Sequence, residues 1–179
     1  MELFGVMADG KVVNSYELTN KRGAKLKVIN YGATVTSLKI PLKSGEMVDV
    51  VLGFDTLENY INSFDLESAP YLGATVGRYA GRINNATFNL NGEIIHLDKN
   101  NNGHSLHGGK DNFSKKVWEV KNVNEGCSPS ITFGYLSPAN EGNYPGDLSV
   151  ELTYTLSENN ELIIEYNAQT TEDTVLNLT

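Results

Sequence analysis

The chain has 179 residues, 40% hydrophobic and 20% charged, and its 14 Lys and Arg stand against 22 Asp and Glu for a net charge of −8. That length can bury a core, and no run of about 18 apolar residues exists to span a bilayer. The acidic balance, with basic residues scattered rather than grouped in a stripe, argues against a nucleic-acid partner.

Residues 1–10 carry neither a basic start nor an apolar run, so a secretory signal is not expected. Cys127 is the single cysteine and can form no internal disulfide, which makes a reducing cytoplasm the expected compartment.

Period-2 alternation dominates the chain. Strands are predicted near residues 12–19, 24–30, 33–42 and 47–52, with one short helix at 56–62. Residues 87–97 read as a hairpin, because Asn91-Gly92 suits a type I′ turn. Residues 98–115, rich in Asn, Gly and Ser, read as a loop, followed by strands at 116–123 and 130–137. A second loop covers 137–147. In residues 148–156 every even position is apolar or aromatic, the mark of a strand with one buried face. Leu162, Ile164, Tyr166 and Ala168 repeat the pattern, and Asn159-Asn160 between the two runs tolerates the positive φ of a hairpin turn. Residues 172–179 begin a further strand. With no βα alternation the class is all-β, a sandwich or barrel of packed sheets. No repeat, low-complexity tract or linker divides the chain, so residues 1–179 are expected to form one domain.

Three histidines are candidate acids or bases: His96, His104 and His107. His96 lies in a hairpin strand and is expected to be structural or solvent-facing. His104 and His107 share a loop that ends in Gly108-Gly109, where backbone can approach a ligand closely. Without cysteine partners the pair is a poor match to a zinc site. Gly73-Ala74-Thr75-Val76-Gly77 resembles no phosphate loop and no Walker lysine follows it. Arg78 and Arg82 each carry a fork of donors suited to vicinal hydroxyls or a carboxylate. The competing reading of either is a loop tied down by an ion pair, and Tyr79 between them reads equally as packing. Phe113 and Trp118 have rings that could stack on a sugar face, although Trp118 at a strand start reads as core. Asp98, Asp111, Glu141 and Asp147 lie in loops, and the sequence leaves open whether any two face each other.

Several segments in order and spacing now resemble the aldose 1-epimerase (galactose mutarotase) family. They include Asn30-Tyr31-Gly32-Ala33, Gly77-Arg78-Tyr79-Ala80-Gly81-Arg82-Ile83, His104-Ser105-Leu106-His107-Gly108-Gly109, Gly142-Asn143-Tyr144-Pro145-Gly146-Asp147 and Val175-Leu176-Asn177-Leu178-Thr179. The resemblance implies a large antiparallel β-sandwich of the mutarotase type, incomplete at its C-terminus. It implies a cofactor-free, metal-free interconversion of α and β anomers of free hexoses, galactose and glucose above all. A carboxylate base would take the C1 hydroxyl proton while a histidine acid protonates the ring oxygen.

By motif position Arg82 and His107 look like the family's sugar-binding arginine and histidine, with Gly81 and His104 beside them. The family usually has asparagine where Gly81 stands, so one substrate hydrogen bond is missing or comes from backbone. The family's catalytic acid and base fall beyond Thr179, and no catalytic residue is assigned within the chain. The resemblance therefore implies an N-terminal portion that lacks full activity, with a homo-oligomer or a separate C-terminal half expected to cover its exposed sheet. A non-catalytic sugar-binding fragment is the alternative. Hexose-6-phosphate epimerases, which share the fold, are disfavoured because the sequence displays no cluster of Lys and Arg suited to a phosphate.

Overall fold

The alternating runs assemble into two antiparallel sheets in a computed structural model that describes residues 1–179. The first contains β1 (Glu2–Val6), β2 (Val12–Thr19), β3 (Lys25–Ile29), β4 (Thr34–Pro41) and β5 (Met47–Asp49), paired in that order. A helix, α1 (Leu57–Ser63), follows. Next come a short strand β6 (Arg82–Ile83), the hairpin of β7 (Thr87–Leu90) and β8 (Glu93–His96), and the short β9 (Ser105–Leu106) that pairs with β6. The second sheet is a meander of β10 (Glu119–Asn124), β11 (Ser130–Ser137), β12 (Leu148–Leu156) and β13 (Leu162–Thr170).

These sheets face each other. Leu18, Leu26, Val28 and Val35 meet Phe133, Leu152 and their neighbours in one apolar cluster. In β12 the strict alternation places Leu148, Val150, Leu152, Tyr154 and Leu156 inside, each at most 2% exposed. Burying a side chain of that size stabilises by about 1.5–3 kcal/mol, so this strand anchors the sandwich. The Tyr154 hydroxyl donates to the Ala33 carbonyl at 2.7 Å, a polar tie across the core. Trp118 and Phe113 are both 1% exposed and pack edge to face, with the indole N–H donating to the Phe113 carbonyl. Phe113 is therefore core, like Trp118, and neither ring is available to a sugar.

The opposite face of β2 carries Val13, which α1 covers through Leu57 and Tyr60. Thr56 caps that helix by accepting from the Asn59 N–H at 3.2 Å. Asn91 and Gly92 both hold positive φ, +54° and +89°, as the type I′ turn requires, and Asn160 does so at +65° between β12 and β13. Asn20 ties the turn after β2 to that turn. Its side-chain amide donates to the Ser157 carbonyl and Asn160 Oδ1, while its oxygen accepts from Ala24 N–H.

Three features depart from the sequence reading. β1 is a strand without predicted alternation, since Leu3 and Val6 are 68% and 57% exposed; pairing with β2 and the packing of Phe4 against Tyr60 of α1 define it. β6 and β9 are strands inside segments read as loops. The run at 172–179 joins neither sheet. Instead Asn177 and Thr179 exchange backbone hydrogen bonds with Val76, Arg78 and Ala80, in a parallel bridge of Tyr79 to Asn177. No helix is long and apolar enough to cross a membrane.

Candidate functional site

Pairing of β6 with β9 sets Arg82 opposite Leu106 and brings the arginine segment against the His107 loop. Close approach requires glycine. Gly108 has φ +86°, and a Cβ there would collide with the Gly77 carbonyl. His107 itself lies in the left-handed region at φ +54°.

His107 and Gly81 then exchange two hydrogen bonds. The His107 N–H donates to the Gly81 carbonyl at 2.9 Å, and the Gly81 N–H donates to His107 Nδ1 at 3.1 Å. Because Nδ1 accepts, the neutral ring carries its proton on Nε2, for which the chain provides no acceptor. Burial, and secondarily the nearby Arg82 charge, lower the His107 pKa from its ordinary value and favour this neutral form. The ring packs edge-on against Tyr71, centroids 4.8 Å apart, and the Tyr71 hydroxyl accepts from buried Asn112 Nδ2 at 3.3 Å. Gly81 contributes backbone alone and has both groups engaged by His107, leaving no donor to offer a ligand.

Arg82 is exposed and makes one hydrogen bond, from Nε to Asn101 Oδ1 at 3.1 Å. Its terminal nitrogens are free. Asn100 shapes the adjoining loop by pairing with both the N–H and the carbonyl of Leu106. Arg82, His107, Tyr71, Asn100 and Asn101 all line a cavity of about 540 Å³, with Phe64 on its apolar side.

The other candidates lie elsewhere. His104 Nδ1 accepts from the Asn85 N–H at 3.0 Å and its backbone pairs with Asn101, so it organises the loop without lining the cavity. His96 is exposed on β8. Arg78, by contrast with Arg82, is 2% exposed and donates all five of its N–H bonds: to Ser137 Oγ and to the carbonyls of Ser137, Pro138, Pro145 and Gly146. It is tied down by carbonyls where an ion pair was the competing expectation.

Among the loop carboxylates, Glu141 accepts from Tyr135 at 2.7 Å and from Ser137, and it shares Lys116 with Asp111, each 2.7 Å from Nζ. Burial opposes the Lys116 charge, but those hydrogen bonds outweigh it and raise its pKa. Asp147 accepts from the Ala139 N–H, and Asp98 lies beside Gly109. None of these four lines the cavity, where Glu67 is the one acid. Sequence reasoning missed Tyr71, Phe64, Asn100 and Asn101. Only the polar, Asn-rich character of residues 98–115 pointed toward two of them.

The sequence profile of the aldose 1-epimerase family matches residues 14–179. Galactose mutarotase of Bos taurus is 41% identical over 155 residues, covering 87% of this chain and 42% of that protein. Galactose mutarotase of Homo sapiens is 38% identical over 178 residues, covering 99% and 49%. Aldose 1-epimerase of Haemophilus influenzae is 37% identical over 175 residues, covering 96% and 47%. Among solved structures, an aldose epimerase homologue from C. elegans superposes with TM-score 0.82 at 34% identity, over 93% of this chain and 49% of that one. Galactose 1-epimerase of Lactobacillus acidophilus gives 0.83 at 27% identity, over 98% and 50%. The chain thus spans about half the length of the relatives it matches. Its sheets are those of the mutarotase sandwich, and the chain belongs to the aldose 1-epimerase family of isomerases.

Proposed function

We propose that residues 1–179 form the sugar-binding, N-terminal portion of a cytoplasmic aldose 1-epimerase acting on free hexoses such as galactose and glucose. The observation that carries this reading is that Arg82, with its terminal nitrogens free, and His107, with its Nε2–H free, line one cavity. Both are donors suited to hydroxyl and ring oxygens of a pyranose. As the ring opens and negative charge develops at its oxygen, a guanidinium and a neutral imidazole N–H stabilise it in place.

His107 is a donor here and a poor base, since taking a proton at Nδ1 would break its bond from Gly81. The carboxylate base and histidine acid are assigned outside residues 1–179, which agrees with the absence of Asp98, Asp111, Glu141 and Asp147 from the cavity lining. A remaining half of the family fold is the partner that would supply them. Supporting this, β13 has no neighbour on its outer side, and a mostly apolar recess of about 260 Å³ lies between Leu162, Ile164 and Tyr166 on one side and Val35 and Val51 on the other.

Polarimetry of freshly dissolved α-galactose tests the assignment. The chain alone should leave the rate at the buffer value, because a general acid and a general base each contribute about 10²–10⁴-fold. Galactose should nonetheless shift the His107 imidazole NMR signals. Full mutarotation by residues 1–179 would overturn the placement of the acid and base, and unshifted His107 signals at saturating sugar would overturn the binding reading.

A further inference from the structure

His107 sits on a turn that two other segments hold in place. Its backbone is at φ +54°, in a region that costs a residue with a Cβ and persists only where the surroundings enforce it. On one side Gly108 fits against the Gly77 carbonyl. On the other lies the single turn Glu141–Asn143, where Gly142 has φ +60° and a Cβ would come 2.9 Å from the Gly108 carbonyl oxygen. Glu141, next to that contact, has a side chain only 10% exposed. It accepts from the Tyr135 hydroxyl and from Lys116 Nζ, each at 2.7 Å, and from the Ser137 hydroxyl. Lys116 also bonds Asp111, shortly past Gly108, so one ammonium ties the end of the His107 loop to the turn packed against it. Arg78 fastens the ends of the 137–147 loop, and Glu141 fastens its middle. Every one of these contacts lies within residues 1–179.

We infer that Glu141 is a positioning residue for His107: with Lys116 it fixes the Gly142 turn against Gly108, and thereby the place of the imidazole and its Nε2–H, without lining the cavity itself. This rests on the sugar-binding reading above and adds what holds the binding group in place. The ion pair of Glu141 and Lys116 is largely out of solvent, and such a pair contributes less net stability than its Coulomb attraction suggests, because both charges are desolvated. What it adds is one geometry, since three donors on one carboxylate restrict the turn to a single arrangement. The ring's own ties are slight, a 3.1 Å bond at Nδ1 and the edge of Tyr71. An N–H donor loses strength steeply as it swings off line, so a loosened turn at 107–108 would cost sugar affinity with no sugar contact removed.

Nitrogen NMR of the isotope-labelled chain, read at His107 and at the Gly81 amide during a galactose titration, tests the inference in E141Q and K116M at a temperature where each is folded. In both variants the ring should leave the single Nε2–H tautomer, seen as averaging of its two nitrogen shifts, and the Gly81 amide should lose the shift that its bond to Nδ1 gives. Galactose affinity should fall about threefold to thirtyfold. E141Q/K116M should do little more than either change alone, because the two residues act as one pair, while K116R should keep wild-type shifts and affinity. A purely structural Glu141 would lower the melting temperature of E141Q and leave the shifts and affinity of the folded chain unmoved. That result would overturn the inference and leave the sugar-binding reading standing. A wild-type His107 that ignores saturating galactose would instead sink the sugar-binding reading, and the nitrogen shifts of the variants would then confirm or overturn the positioning by themselves.

Discussion

Arg78 and Arg82 lie on one segment of chain and in opposite surroundings. Around Arg78 the 137–147 loop folds back so that four carbonyls and a hydroxyl take every donor the guanidinium has. Burial lowers its pKa, opposed by the charges of Glu141 and the groups around it, and nothing is left over for a ligand. Around Arg82 the chain supplies one acceptor, Asn101, and both line a cavity. Residue type alone does not separate a structural arginine from a candidate binding one; the number of donors left unsatisfied does.

The largest expected effect breaks the first half of that comparison. R78M should destabilise the fold by about 3 kcal/mol or more, because it orphans buried carbonyls as well as removing the charge-assisted bonds. R78K should cost nearly as much, since one ammonium with three donors cannot serve five acceptors. Urea unfolding measures both, and a loss below about 1 kcal/mol would show that the loop finds other partners. E141Q comes next at about 2 kcal/mol, as it weakens the acceptor shared by Lys116, Tyr135 and Ser137.

R82Q sharpens the other half. Stability should stay within about 0.5 kcal/mol while sugar affinity drops about tenfold or more. The same titration on R78K, where it folds, separates the arginines by function. Smallest is a pH effect. The His107 pKa is lowered in the fold, so the unfolded chain binds the proton more readily. Its contribution is therefore intact above the unfolded value of 6.5 and is lost as pH falls from there to the folded pKa. Melting temperature against pH should decline through that window, and H107N, which keeps a residue tolerant of positive φ, should flatten the decline. R82Q should reduce it in part by removing the neighbouring charge.

The core was legible in the sequence where strands alternate cleanly, as in β12, and where turns need positive φ, as at Asn91-Gly92 and Asn160. β1 escaped because Leu3 and Val6 are exposed and what holds it, the partner strand β2 and the contact of Phe4 with α1, is not local. Within the site, Arg82 and His107 were found through the motifs that carry the family resemblance. His104 sits in the same motif yet faces Asn85, because two residues of β9 separate it from the turn that swings His107 inward. Tyr71 and Phe64 were illegible for another reason: their place in the cavity comes from the meeting of loops distant in sequence, and no local pattern encodes that.

Asn20 links the two sheets at their turns, and this has a consequence for how the molecule breathes. One carboxamide closes the turn between β2 and β3 on itself and reaches over to the turn between β12 and β13. Neither hairpin can fray at that end without releasing the other, so amide protons of Ala24 and of Asn160 should exchange with solvent deuterium at a common rate. In N20A the two turns should open independently, each with its own, faster exchange.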